Sequence, residues 1–143
     1  MAKIFFDTNI LLYTIDKKDR EKHQKSRDLL RKVTDHFFPV ISTQVLQEFF
    51  NASTTKLNID KIVSKNIIHN YKNMEIVNID LLLIEQAIDI SILFQLSFWD
   101  SLIVAAAEQA NCSYLISEDL NDGQKIRGIR ILNPFKNSAI EFV

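Results

Sequence analysis

An α/β fold, with helices on both sides of a mainly parallel five-stranded sheet, is what this sequence predicts. Three observations carry that reading. Five short apolar runs (3–7, 37–42, 74–79, 113–117 and 128–132) alternate with longer helical stretches. Strands spaced by helices imply parallel pairing through helical crossovers. Only two Gly and two Pro occur, which argues against an all-β chain with many tight turns and favours long helices. Hydrophobic residues make up 47% of the chain and ten are Phe, enough for a densely packed core in one domain spanning 1–143.

Residues 3–7 read as a short buried strand. From Asn9 the pattern turns helical, through Ile10, Leu11, Tyr13 and Thr14, into a charged helix over about 19–33. "FFPVIS" (37–42) is apolar and β-branched, a second buried strand. Ser42 or Thr43 suits the N-cap of the helix in "QVLQEFFNASTTKL". Asp60 opens another helix, to about Lys72, and "MEIVNI" (74–79) is a third strand. Asp80 starts a long helix whose inner face is expected to carry Leu83, Ile84, Ala87, Ile88, Ser91 and Ile92. Ser97 starts the helix "SFWDSLIVAAAEQAN", whose Ala-rich centre suits close packing. "SYLIS" (113–117) and "GIRIL" (128–132) are the last two strands. The sequence shows no repeat, low-complexity tract or internal linker.

Seventeen basic and eighteen acidic residues give a net charge of −1, which excludes a globally basic nucleic-acid binder. Eight of those basic residues (Lys17, Lys18, Arg20, Lys22, Lys25, Arg27, Arg31 and Lys32) nevertheless fall between 17 and 32. They read either as a solvated helix face or as a track for phosphates, with Lys17, Lys18 and Lys22 in contact. The lone Cys112 permits no internal disulfide and fits a reducing, cytoplasmic setting. No signal peptide is evident, and the apolar runs are too short to span a bilayer.

Right-handed crossovers would place every strand-to-helix junction on one edge of the sheet, where open α/β sheets bind ligands. Four carboxylates can face that edge. Asp7 ends the first strand, and Glu48 lies one and a half turns into the helix after the second. Asp100 is in the first turn of the helix from Ser97, and Asp119 follows the fourth strand in "LISEDLNDG". Each has a plain structural explanation. Asp7 could be an N-cap, Glu48 a solvent-facing helix residue, Asp100 part of a capping box with Ser97, and Asp119 and Asp122 turn residues before Gly123. Four such coincidences on one edge are improbable together. Hard oxygen ligands with no neighbouring His or Cys suit Mg²⁺ or Mn²⁺ rather than zinc.

"FFDTNILLY", "VLQEFF", "SFWDSLIVAAA" and "LISEDLNDG" resemble, in order and spacing, the four signature segments of PIN-domain proteins. The closing "GIRILNPF" is similar to the end of many bacterial VapC-type toxins. The resemblance implies a three-layer α/β/α PIN-like domain with Asp7, Glu48, Asp100 and Asp119 as its acidic quartet. Asp7 and Asp100 would be principal metal ligands, completed by Glu48 and Asp119, with Thr8, Asn9 and Ser117 in support and Asp122 unassigned. It further implies Mg²⁺- or Mn²⁺-dependent cleavage of RNA and a small cognate antitoxin partner. A homodimer is also expected.

Two other readings compete. A haloacid-dehalogenase-like phosphatase also begins with strand and Asp, but typically needs a second carboxylate two residues on, where this chain has Asn9. A metal- and RNA-binding or protein-binding module without activity is the alternative from another class. Elsewhere the expectations are plain. His23, His36 and His69 lack metal-ligand spacing. Cys112 should be a small buried residue. Trp99 is expected in the Phe-rich core rather than stacked on a base, and Tyr13 and Tyr71 carry no functional argument.

Overall fold

The computed structural model describes residues 1–136, and in it capping residues set the element boundaries. β1 (Lys3–Phe6) ends at Asp7, whose carboxylate accepts from the Thr8 backbone N–H and opens α1 (Thr8–Tyr13). Asp19 caps α2 (Arg20–His36), and β2 (Phe38–Ser42) follows. Ser42 caps α3 (Thr43–Thr55), and Asp60 caps α4 (Lys61–Asn70). A single 3₁₀ turn (Tyr71–Asn73) leads into β3 (Glu75–Val77). Asp80 then caps α5 (Leu81–Phe94), and Ser97 caps α6 (Phe98–Gln109). Caps of this kind each contribute about 0.5–2 kcal/mol.

β4 (Tyr114–Ile116), β5 (Lys125–Ile126) and β6 (Ile129–Leu132) complete a sheet of order β3-β2-β1-β4-β6-β5. All five expected strands form and pair in parallel. The sheet has six strands rather than five, because β5 adds antiparallel to β6. Two residues are too few to show a period in sequence. The turn between them does carry a signal, since Arg127 and Gly128 both have positive φ (53° and 80°), as a two-residue hairpin requires.

From β1 the chain steps to β2 and β3 on one side, then returns to β4 on the other. Right-handed crossovers therefore put α1–α4 on one face and α5–α6 on the opposite face. β1 lies between both layers, so Ile4, Phe5 and Phe6 are all fully buried, as a central parallel strand demands.

The buried side of α5 differs from the one expected. Leu83, Ala87 and Ile90 point inward, whereas Ile88 and Ile92 are 45% and 69% exposed. Leu81, Leu82 and Leu93 are exposed as well. This helix is apolar nearly all round, so spacing alone did not single out a face. Among the described residues no single helix is long and apolar enough to cross a membrane, and α5 and α6 meet at a bend of 115°.

Candidate active site

The order of strands reverses between β1 and β4, and a cavity of about 430 Å³ opens at their carboxyl ends. Asp7, Glu48, Asp100 and Asp119 all line it. The four acids predicted from sequence are thus brought to one place. Helical periodicity explains the walls. Thr8, Asn9, Leu12, Tyr13 and Asp16 form the inward stripe of α1 and its C-terminal turn, while Gln44, Glu48, Asn51, Ala52 and Lys56 form that of α3 and its C-cap.

Asp7 sits deepest and is 6% exposed. One carboxylate oxygen accepts from the Thr8 backbone N–H (2.7 Å), the other from the Ser117 hydroxyl (2.8 Å). Asp7 is therefore both the helix cap and part of the acid cluster. Burial pushes its carboxyl up to about 7. The hydrogen bonds from Ser117 and Thr8 oppose that shift, and the charges of Asp119 and Glu48 add to it.

Each remaining acid is held by a different device. The Thr8 hydroxyl donates to Glu48 Oε1 (2.7 Å). Asn9 Nδ2 donates to Asp119 Oδ2 (2.9 Å), and the Asp119 backbone N–H donates to the Ser117 hydroxyl (3.1 Å). Ser117 Oγ thereby ties two of the acids together. Asp119 lies at the cavity mouth, exposed on its outer side. Partial desolvation, then the charges of Asp100, Glu118 and Glu48, raise its carboxyl above the ordinary carboxylate range. Asp100 takes its place from α6, where its backbone N–H donates to the Ser97 cap (3.1 Å). Asp122 is not part of the lining; its carboxylate accepts from the Asn133 backbone N–H (2.9 Å) and secures the chain leaving β6.

Among the described residues, no three acidic, His or Cys side chains stand close enough to form a ready-made metal cage. The donor set nevertheless fits Mg²⁺ or Mn²⁺. Mg²⁺ is usually bound through one or two carboxylates while keeping several waters, and four carboxylates surround this cavity. Gln44 Oε1 is a further hard oxygen in its wall, buried and without a hydrogen-bond partner. The Gln44 amide donates to the Trp99 carbonyl (3.2 Å), which fixes which end of the side chain is the acceptor. Proximity of Gln44 to Glu48, four residues apart on one helix, was the sequence signal for it.

Two aromatic residues differ from their expected roles. Trp99 is not in the core; it is 63% exposed on the cavity wall, edge-on to Phe98 (5.1 Å between ring centroids). Tyr13, given no role from sequence, donates its hydroxyl to Glu118 Oε1 (2.6 Å). Lys22 pairs with Glu118 Oε2 (2.6 Å) and lies over the rings of Tyr13 and Phe135 (5.3 and 5.1 Å). Lys22 is thereby paired with the residue beside Asp119.

An acid-lined cavity at the reversal point of a mostly parallel sheet is the frame of a PIN domain, and the chain belongs to that family, which matches residues 4–125. Its structural neighbours are VapC toxins of VapBC toxin–antitoxin complexes. It is similar to VapBC2 from Rickettsia felis, solved bound to a promoter DNA fragment (18% identity, TM-score 0.66, covering 90% of this chain and 96% of that one). It is also similar to a toxin–antitoxin complex from Klebsiella pneumoniae (20% identity, TM-score 0.67, covering 92% and 97%). A third is Mycobacterium tuberculosis VapC20, described as a sarcin-ricin loop cleaving toxin (18% identity, TM-score 0.63, covering 81% and 91%). No curated protein matches by sequence.

Proposed function

We propose that this protein is a divalent-metal-dependent endoribonuclease, the toxin of a type II toxin–antitoxin pair, acting in the cytoplasm. The observation that carries the reading is the convergence of Asp7, Glu48, Asp100 and Asp119 on one cavity. Asp7 and Asp100 are the principal metal ligands in this scheme, with Glu48 and Asp119 completing the site. When bound, Mg²⁺ or Mn²⁺ supplies Lewis acidity, activating water for attack on phosphorus and offsetting charge on the leaving oxygen. The protein's own part is orientation. Ser117 and Thr8 fix both oxygens of Asp7, Thr8 holds Glu48, and Asn9 holds Asp119. These bonds preset the acids, so little reordering remains when substrate arrives.

A small antitoxin is the expected partner, on the strength of neighbours that are themselves toxin–antitoxin complexes. A homodimer is also part of the reading. The exposed apolar residues of α5, among them Leu81, Leu82, Ile92 and Leu93, support it, since such patches mark association surfaces.

The test is cleavage of a mixed RNA panel with Mg²⁺ or Mn²⁺, wild type against Asp7→Asn. Metal-dependent cutting by the wild type that falls by orders of magnitude in the folded variant is the expected result. Equal cutting by both proteins would remove Asp7, and with it the metal assignment.

A further inference from the structure

A second groove, of about 480 Å³, continues from the acid cavity. The two share walls at Asp16, Lys56 and Leu57. Lys17 and Lys18 line the new groove from the loop between α1 and α2, and Lys56 lines it from the C-cap of α3. Asp16 is the acid in its wall, and it shapes the loop by accepting from the Lys18 backbone N–H (3.1 Å). Three lysines against one aspartate leave the groove positive.

Three of the protein's other lysines stand beside a carboxylate. Lys3 pairs with Glu75 (2.8 Å), Lys22 with Glu118 (2.6 Å) and Lys25 with Glu21 (2.9 Å). Among the described residues, Lys17, Lys18 and Lys56 have no carboxylate within ion-pairing distance. Gathering like charges in one groove is unfavourable unless an anion visits it. The acid cavity poses the opposite problem, because its carboxylates repel a polyanion. Positive charge at its border offsets that repulsion and draws the chain in.

We propose that the Lys17–Lys18–Lys56 groove is a phosphate subsite for single-stranded RNA. It holds the backbone next to the phosphodiester that enters the acid cavity. This assignment rests on the nuclease reading above. Lysine ammonium groups contact phosphate oxygens without reading base edges, so the groove sets register and affinity rather than sequence. Lys22 and the other basic residues of α2 are outside it.

The experiment measures fluorescence anisotropy of a labelled single-stranded RNA across a salt series in Mg²⁺. An Asp100→Asn background limits cutting. Lys17→Gln, Lys18→Gln and Lys56→Gln are combined on it, with the corresponding three Arg substitutions as rescue. Lys61→Gln with Lys65→Gln, in a different groove, is the charge control. The three Gln substitutions should weaken binding and flatten the salt slope by about 0.7 per contact, about 2 in all. The Arg set should restore the slope, and the control pair should leave it unchanged. An unchanged slope in the Gln set, or an equal loss in the control, overturns the assignment, even if the Gln set loses binding to an acidic protein partner. Cutting assays on proteins with all four acids intact keep the two readings apart. Salt-dependent binding through the groove without any cutting by the wild type would sink hydrolysis alone. Cutting by the Gln set with an unchanged KM would sink the subsite alone.

Discussion

Asp7 joins two demands that pull against each other, since the residue that caps α1 must also be buried among other acids. Its carboxyl is raised from 3.8 to about 7, so between those values the folded protein holds a proton that the unfolded chain releases. By linkage, metal-free stability falls as pH rises through that window and levels off above it. Asp7→Asn removes the charge while keeping an oxygen for the Thr8 N–H. In chelator at pH 8 it should melt higher than wild type, and by pH 4 the difference should disappear. Thermal melts at both pH values test this, and a variant that melts lower at pH 8 would show the cap outweighing the repulsion. Mn²⁺ must displace the same proton, so its affinity for the wild type should climb with pH up to about 7, as titration calorimetry would record. Ser117→Ala should shift that climb to higher pH, because it deletes a hydrogen bond that favours the charged form. The four acids themselves were legible in sequence because three sit at a strand end or a helix start, and Glu48 lies one and a half turns into the helix that follows the second strand. What fixes them was legible only in part, since Ser117 lies 110 residues from Asp7 and Asn9 lies 110 from Asp119.

The helices and strands came through from sequence wherever a cap and an apolar run coincided, as at Ser42, Asp60, Asp80 and Ser97. Sequence reasoning failed where a partner was distant or the pattern was saturated. Lys22 looked like one of eight similar basic residues, but Glu118, 96 positions away, claims it. That pair is partly exposed, so Lys22→Gln should cost less than about 1 kcal/mol in chemical denaturation, and less again at high salt. Trp99 stood in an aromatic stretch indistinguishable by composition from core. α5 presented apolar residues on every side, and only packing against α6 chose among them. Ile90→Ala, at a fully buried position, should destabilise by about 2–5 kcal/mol. If the proposed dimer forms through α5, Ile92→Glu should leave monomer stability nearly unchanged while shifting sedimentation from dimer to monomer. A dimer that survives Ile92→Glu would move the interface off α5.

For the whole molecule, a net charge of −1 conceals a division of labour between an acid cavity and the basic groove at its border. Composition could only exclude a globally basic binder, because the division depends on α1 and α3 lying side by side. The sheet's topology has one more effect, on time rather than on charge. β1 is the earliest of these strands in the sequence, yet it lies at the middle of the sheet between β2 and β4. Its pairing with β4 joins Phe6 to Ile116, and contacts so distant in sequence make for slower folding than local ones. A chain ending at residue 112 lacks β4, Ser117 and Asp119, and should show neither a cooperative melt nor RNA cutting. While the polypeptide is still being translated, its N-terminal acids have no counterpart at the other end of the site. The acid cavity is therefore complete only once the segment carrying β4, Ser117 and Asp119 has been made and has paired with β1.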